Sequence, residues 1–188
     1  MKTVIAKLRG VSPYSQSKHY DKEQVPMLEK ESHHAYEART WKNRLHINDS
    51  GKVFIPPMAF KNCISEAAQF LGEKIPGKRN ATWTKHFLAG ILVSEPLILK
   101  IKRDEVGGEW FFVPSDGKRG GGSRVNKCFP VIKDWDGDVL FYILDQTITE
   151  DAFRHHLEEA GKFIGIGRFR PRNGGFYGRF EVVNLKWN

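Results

Sequence analysis

Between Phe163 and Val183 the chain sets four arginines (Arg168, Arg170, Arg172, Arg179) among five glycines and five aromatics. Guanidinium groups are flat, permanently charged forks that match phosphate oxygens. Glycines let backbone N–H groups approach an anion closely. Aromatic faces give bases a surface to stack on. These are the ingredients of a nucleic-acid contact, and Arg168, Arg170, Arg172, Tyr177 and Arg179 are its candidate ligands. The segment reads as strand, loop, strand: a C-terminal hairpin.

Three other places offer related chemistry. The stretch DGKRGGGSR and its flank carry Lys118, Arg119, Arg124 and Lys127, which read as a basic finger able to close over a nucleic-acid strand. No Gly-Lys-Ser/Thr follows its glycines, which argues against a nucleotide-hydrolysing phosphate loop. Lys61 lies near the start of a predicted helix, where backbone N–H groups favour anions. Lys78, Arg79 and Lys85, with Trp83, extend the basic character.

Acid–base chemistry has one candidate centre. His19 lies close to Tyr14, Lys18 and Tyr20, and imidazole exchanges protons near neutral pH. His33 and His34 are the next candidates, whereas His155 and His156 fall on a predicted helix as surface or packing residues. Asp21 and Asp49 belong to no recognisable motif. No grouping of His, Asp and Glu has metal-ligand spacing, and Cys63 and Cys128 form no CxxC pair, so no metal and no cofactor is expected. Cys63, amid apolar residues, is expected to be buried in a reducing compartment.

Charge supports a polyanionic partner. The 188 residues carry a formal net charge of +8, and the pI is about 9.5. The charge is clustered: from Lys162 onward six bases face the single acid Glu181. With 40% apolar and 12% aromatic residues the chain has the makings of a packed core. The first ten residues lack the character of a signal peptide and no apolar run matches a membrane span, so a cytoplasmic protein without a membrane partner is expected.

Elements must hold these groups in place. Thr3–Leu8 alternates as a strand. Residues 11–43 are polar and read as an insertion with a helical middle around Met27–Trp41. Arg44–Ile47 and Lys52–Ile55 read as short strands about the turn Asn48–Gly51. Pro56-Pro57 opens a helix whose stripe of Phe60, Ile64, Ala67, Ala68 and Leu71 ends at Gly72. Ile91–Ile101 reads as one long strand with Pro96 at an edge or bulge. Residues 103–126 form a second excursion, and Asp138–Leu144 another strand. Thr149 caps a second helix that Gly161 is expected to end. Without the excursions the order is strand, helix, strand, strand, helix, strand. That is a ferredoxin-like α+β arrangement, two helices on one face of an antiparallel sheet, within a single domain spanning 1–188.

At these residues the chain resembles the RAMP superfamily, the RNA-binding and RNA-processing subunits of CRISPR effector complexes. GIGRFRPRNGGFYGRF is similar to the family's glycine-rich loop. VFIPPMAFKNCISEA, Val53 to Ala67, is similar to its strand–IPGSSLKGALR–helix segment, with Phe60-Lys61 at the Leu-Lys position. Residues 103–126 sit where backbone subunits carry a thumb. Pro57 and Met58 depart from the family's Gly-Ser pair, and the loop here is longer and richer in arginine. The chain also resembles small proteins of phages and prophages.

The resemblance implies non-catalytic binding of single-stranded nucleic acid, RNA before DNA. It implies assembly with copies of itself as a filament, or within a CRISPR-type effector complex. Two rival readings stay open: a metal-independent RNA endonuclease using His19, and a phage anti-defence protein imitating a CRISPR backbone subunit.

Overall fold

The computed structural model describes residues 1–115 and 122–188. It is an α+β fold built on antiparallel sheets. The first strand, β1 (Lys2–Gly10), alternates as its sequence requires: Val4, Ala6 and Leu8 are fully buried while Ile5, Lys7 and Arg9 face out. It lies between β8 and β9 in a four-stranded sheet with β4 (Ile91–Leu92), β8 (Asp136–Ile143) and β9 (Phe180–Trp187), in the order β4-β8-β1-β9.

Two helices pack into the core of this sheet. In α2 (Pro57–Leu71) proline occupies the first turn and Gly72 closes the helix with a left-handed φ of 59°, as the sequence signals predict. In α4 (Glu150–Glu159) the Thr149 hydroxyl accepts the Ala152 N–H, and Glu150 and Asp151 complement the helix dipole. Phe60 and Ile64 of α2, Phe153 and Leu157 of α4, and the inner residues of β1 share one continuous apolar core. Among the described residues no helix is long and apolar enough to cross a membrane.

The chain does not stop its second helix at Gly161. Residues Ala160–Ile164 continue it as a π-helical turn, closed by the Gly165 N–H donating to the Ala160 carbonyl at 2.9 Å. Gly161 is present for a different reason: a Cβ there would lie 2.1 Å from the Phe180 carbonyl oxygen, so only glycine lets the turn lie against β9. Consequently Phe163 is helical, and the expected C-terminal hairpin is absent. A long loop runs from the π turn to β9, which pairs with β1 and not with a preceding strand.

The region read as one strand from Ile91 to Ile101 is two. Around Pro96 the chain leaves the main sheet, and β5 (Leu97–Lys102) pairs instead with β3 (Lys52–Ile55). Proline has no N–H for a ladder bond, so the strand divides there. Arg44–Ile47 is also not a strand: Trp41–Arg44 is a 3-10 turn extending α1 (His33–Thr40), and Ile47 makes only a bridge to Val53. A short helix, α3 (Thr84–Ala89), was not legible in the sequence.

The second excursion forms a hairpin of β6 (Gly107–Pro114) and β7 (Arg124–Ile132), joined on the far edge of β7 by β2 (Tyr14–Ser15). Its register places Glu109 opposite Phe129 and Phe111 opposite Lys127 on one face, with Trp110 opposite Cys128 on the other. The second face meets the N-terminal excursion: His34 of α1 stacks on Trp110 at 4.5 Å. Where β2 ends, two side chains continue the β7 edge. The Cys128 N–H donates to Glu37 and the Cys128 carbonyl accepts from Arg44. Glu37 and Arg44 themselves form a buried ion pair at 2.7 Å.

Candidate nucleic-acid interface

The glycine-rich loop is a closed structure. The Ile166 N–H donates to the Gly178 carbonyl, the Tyr177 N–H to Phe169, and the Gly175 N–H to Arg170, each at 3.0 Å. A Cβ on Gly175 would sit 1.8 Å from the Phe169 oxygen, and one on Gly178 would sit 1.9 Å from the Ile166 oxygen. These two glycines therefore serve backbone-to-backbone packing, and their N–H groups are already bonded within the protein. The loop is tied outward as well. The Arg168 N–H donates to the Ser15 carbonyl at 2.9 Å and the Gly178 N–H to Pro13 at 2.8 Å. Anion contact consequently falls to the side chains.

Those side chains face the β6–β7 hairpin across a cleft of about 1110 Å3. Arg124 and Lys127 come from the hairpin, Arg168 and Arg172 from the loop, and Arg44 from the 3-10 turn. Aromatic lining is supplied by Phe111, Phe112, Phe129 and Phe169. Among the described residues no acidic side chain lines it. Arg44 is neutralised by Glu37, which leaves four cations without a carboxylate at the wall.

Arg168 is the centre of this arrangement. Its guanidinium carbon lies 3.4 Å from the Phe129 ring centroid, 4.1 Å from Phe169 and 4.9 Å from Phe111. Ring faces attract a cation, so this box holds the charge without a counter-ion. Burial pushes the Arg168 pKa down to about 10. Its Nη1 is buried with no hydrogen-bond partner among the described residues. A buried polar atom in that condition is a donor awaiting an acceptor.

The other candidates divide. Arg172 is exposed at the cleft and lies over the Phe70 ring at 5.4 Å. Arg124 donates to the Phe112 carbonyl at 3.0 Å and covers that ring at 5.5 Å, and Lys127 reaches the Ser115 carbonyl at 3.5 Å. Arg170 instead pairs with Glu66 of α2 at 2.9 Å, latching the loop to that helix. Arg179 donates to the Lys162 carbonyl at 3.3 Å and does not line the cleft. Lys61 donates to the Leu88 carbonyl at the end of α3, also away from it.

Tyr177 is buried. Its hydroxyl donates to Glu109 at 2.7 Å, and burial, then that contact, raises its pKa to about 12. It ties the loop to the hairpin. Lys118 and Arg119 lie outside the described residues.

His19 is exposed and does not line the cleft. His46 was missed. It lines an adjoining cavity of about 490 Å3, which shares Ser17, Arg168, Phe169 and Asn173 with the cleft and reaches the start of α2. Burial, then Lys18, lowers the His46 pKa. The cleft aromatics Phe111 and Phe129 were also missed as site residues; their signal was the apolar runs of β6 and β7.

No family model matches the chain, and no curated protein matches it. Among solved structures it is similar to the crystal structure of Cmr6 from Pyrococcus furiosus, with a TM-score of 0.50 and 13% identity over 97% of this chain and 99% of that one. It also matches a chain of a CRISPR RNA-guided surveillance complex at a TM-score of 0.39 and 9% identity, covering 100% of this chain and 68% of that one. The likeness to Cmr6 is one of fold.

Proposed function

We propose that this chain binds a single strand of nucleic acid, RNA before DNA, in the cleft between the β6–β7 hairpin and the glycine-rich loop, without catalysis. The observation that carries this reading is Arg168: a cation held among three aromatic rings, with no carboxylate at the cleft wall and a buried N–H unbonded among the described residues. A phosphate oxygen meets that need. Bases then find the faces of Phe112 and Phe169, which are 59% and 40% exposed.

The fold fits the same reading. Strand β1, helix α2, strands β4 and β8, helix α4 and strand β9 follow the ferredoxin-like order within one domain, with residues 11–43 and 103–126 as its additions. The β6–β7 hairpin takes the place of a RAMP thumb. On the strength of the fold likeness we infer a place in a cytoplasmic CRISPR-type ribonucleoprotein. There each subunit covers a segment of the strand.

The test is fluorescence anisotropy with labelled single-stranded RNA, single-stranded DNA and duplex across a salt series. Four uncompensated cations give an expected slope of log affinity against log salt of roughly −3 on a single strand. An Arg124→Ala/Lys127→Ala/Arg172→Ala variant changes only cleft cations and should lose most of that slope. Salt-insensitive binding, or binding unchanged in the variant, would overturn the reading.

Metal-independent RNA cleavage gains one observation. His46 stands beside the cleft, and burial, then Lys18, lowers its pKa, the direction that favours the neutral imidazole of a general base. Incubating end-labelled RNA with the wild type and with His46→Ala separates cleavage from binding.

A further inference from the structure

The cleft has an exit that the binding reading does not use. Arg172 lines the cleft and at the same time covers the ring of Phe70, which lies 5.9 Å from the ring of Phe163. Both rings are half exposed, at 50% and 49%, although large aromatics are normally driven inward. They come from different elements: Phe70 from the last turn of α2 and Phe163 from the π-helical turn after α4. Single π turns are uncommon and recur at functional sites. Here the turn turns Phe163 outward beside Phe70. The loop that carries Arg172 is fixed to the same helix one turn earlier, through Arg170 and Glu66.

We infer that Phe70 and Phe163 form a base-stacking platform, onto which the nucleic-acid strand passes from the cleft by way of Arg172. This rests on the cleft reading above. The occupant is a continuing single strand because the cation at the cleft wall and the cation over the platform are one residue. A phosphate held by Arg172 therefore lies between a base in the cleft and a base on Phe70. Base–aromatic stacking tolerates any sequence, so the platform would lengthen the site without adding sequence preference.

The experiment compares oligouridylates of about four and about ten nucleotides, lengths within the range of known single-strand sites. The longer one carries 2-aminopurine toward either end. Wild-type protein should bind the longer strand about 5- to 100-fold more tightly, the equivalent of one stacked base. One of the two labelled positions should be quenched. Phe70→Leu/Phe163→Leu keeps apolar bulk at half-exposed positions, so it should retain the wild-type melting temperature. It should bind the short strand normally and lose both the length-dependent gain and the quenching.

Equal binding of both lengths by the wild type, or an unaffected variant, overturns the platform while leaving the cleft intact. The exposed rings would then belong to a protein contact. Failure of both lengths to bind sinks the cleft reading and the platform with it.

Discussion

Replacing Arg168 with methionine should separate stability from binding. In most proteins a buried arginine is paired, and removing it destabilises the fold. Here the opposite terms dominate. The fall of the Arg168 pKa from 12.5 to about 10, caused mainly by burial, corresponds to roughly 3 kcal/mol against the charged form. The group is only partly buried, and allowing for solvent screening reduces this to roughly 1–2 kcal/mol. The contacts with Phe129, Phe169 and Phe111 offset it by about 0.5–1 kcal/mol each. Methionine retains the packing and removes the desolvated charge.

The net change in stability on Arg168→Met should therefore lie within about 1 kcal/mol of zero. For a chain of this length that is a shift in Tm of roughly 2–4 °C at most. RNA binding should respond very differently. A charge-assisted phosphate contact contributes about 1.5–3 kcal/mol. Affinity should fall about 10- to 100-fold, and the salt slope by about 0.7. Urea melts and anisotropy on the same preparations read both quantities. Destabilisation of about 3 kcal/mol or more with unchanged RNA affinity would refute the reasoning: Arg168 would then be a core cation serving the fold.

Other outcomes follow from single features. Glu37→Ala strands the buried Arg44 charge and the Cys128 N–H, and should cost about 3–5 kcal/mol, seen as a Tm lower by roughly 10 °C. Gly178→Ala puts a methyl against the Ile166 oxygen at a backbone φ of 77°, so it should destabilise the fold by about 2 kcal/mol or more in urea melts and weaken RNA binding through displaced Arg168 and Arg172. Tyr177→Phe should cost about 1 kcal/mol by loss of the bond to Glu109, measured the same way.

His156 is fully buried against Phe87 and its Nε2 is unbonded among the described residues; burial lowers its pKa below 6.5. The unfolded chain then takes up a proton first as pH falls. Stability should be complete above about pH 6.5 and decline below it, and His156→Gln should flatten that part of the pH–stability curve.

What the sequence disclosed was governed by local physics. Pro57 and Gly72 bound α2, Thr149 caps α4, and alternation marks β1, because each depends on neighbours a few positions away. Basic and aromatic residues in the glycine-rich segment likewise pointed to Arg168 and Arg172. The cleft itself was not legible, because Phe111 and Phe129 meet Arg168 only after the hairpin docks on the loop. Composition also could not show that Arg170, Arg179 and Lys61 spend their hydrogen bonds on the protein, on Glu66 and on the carbonyls of Lys162 and Leu88. The missing C-terminal hairpin has the same origin: Gly161 resembles a helix stop in sequence, and its role is set by the distant Phe180.

The loop hangs from the start of the chain, through the Pro13 and Ser15 carbonyls, and its last strand pairs with β1. These partners lie far apart in sequence, so a ribosome delivers them at different times. A nascent chain can build α2 and the β6–β7 hairpin early, yet it owns no cleft until residues near Gly178 have emerged. On the proposed reading, incomplete chains would be blind to nucleic acid, including the message from which they are being read. Competence to bind would then arrive in one late step, together with the pairing of β9 with β1.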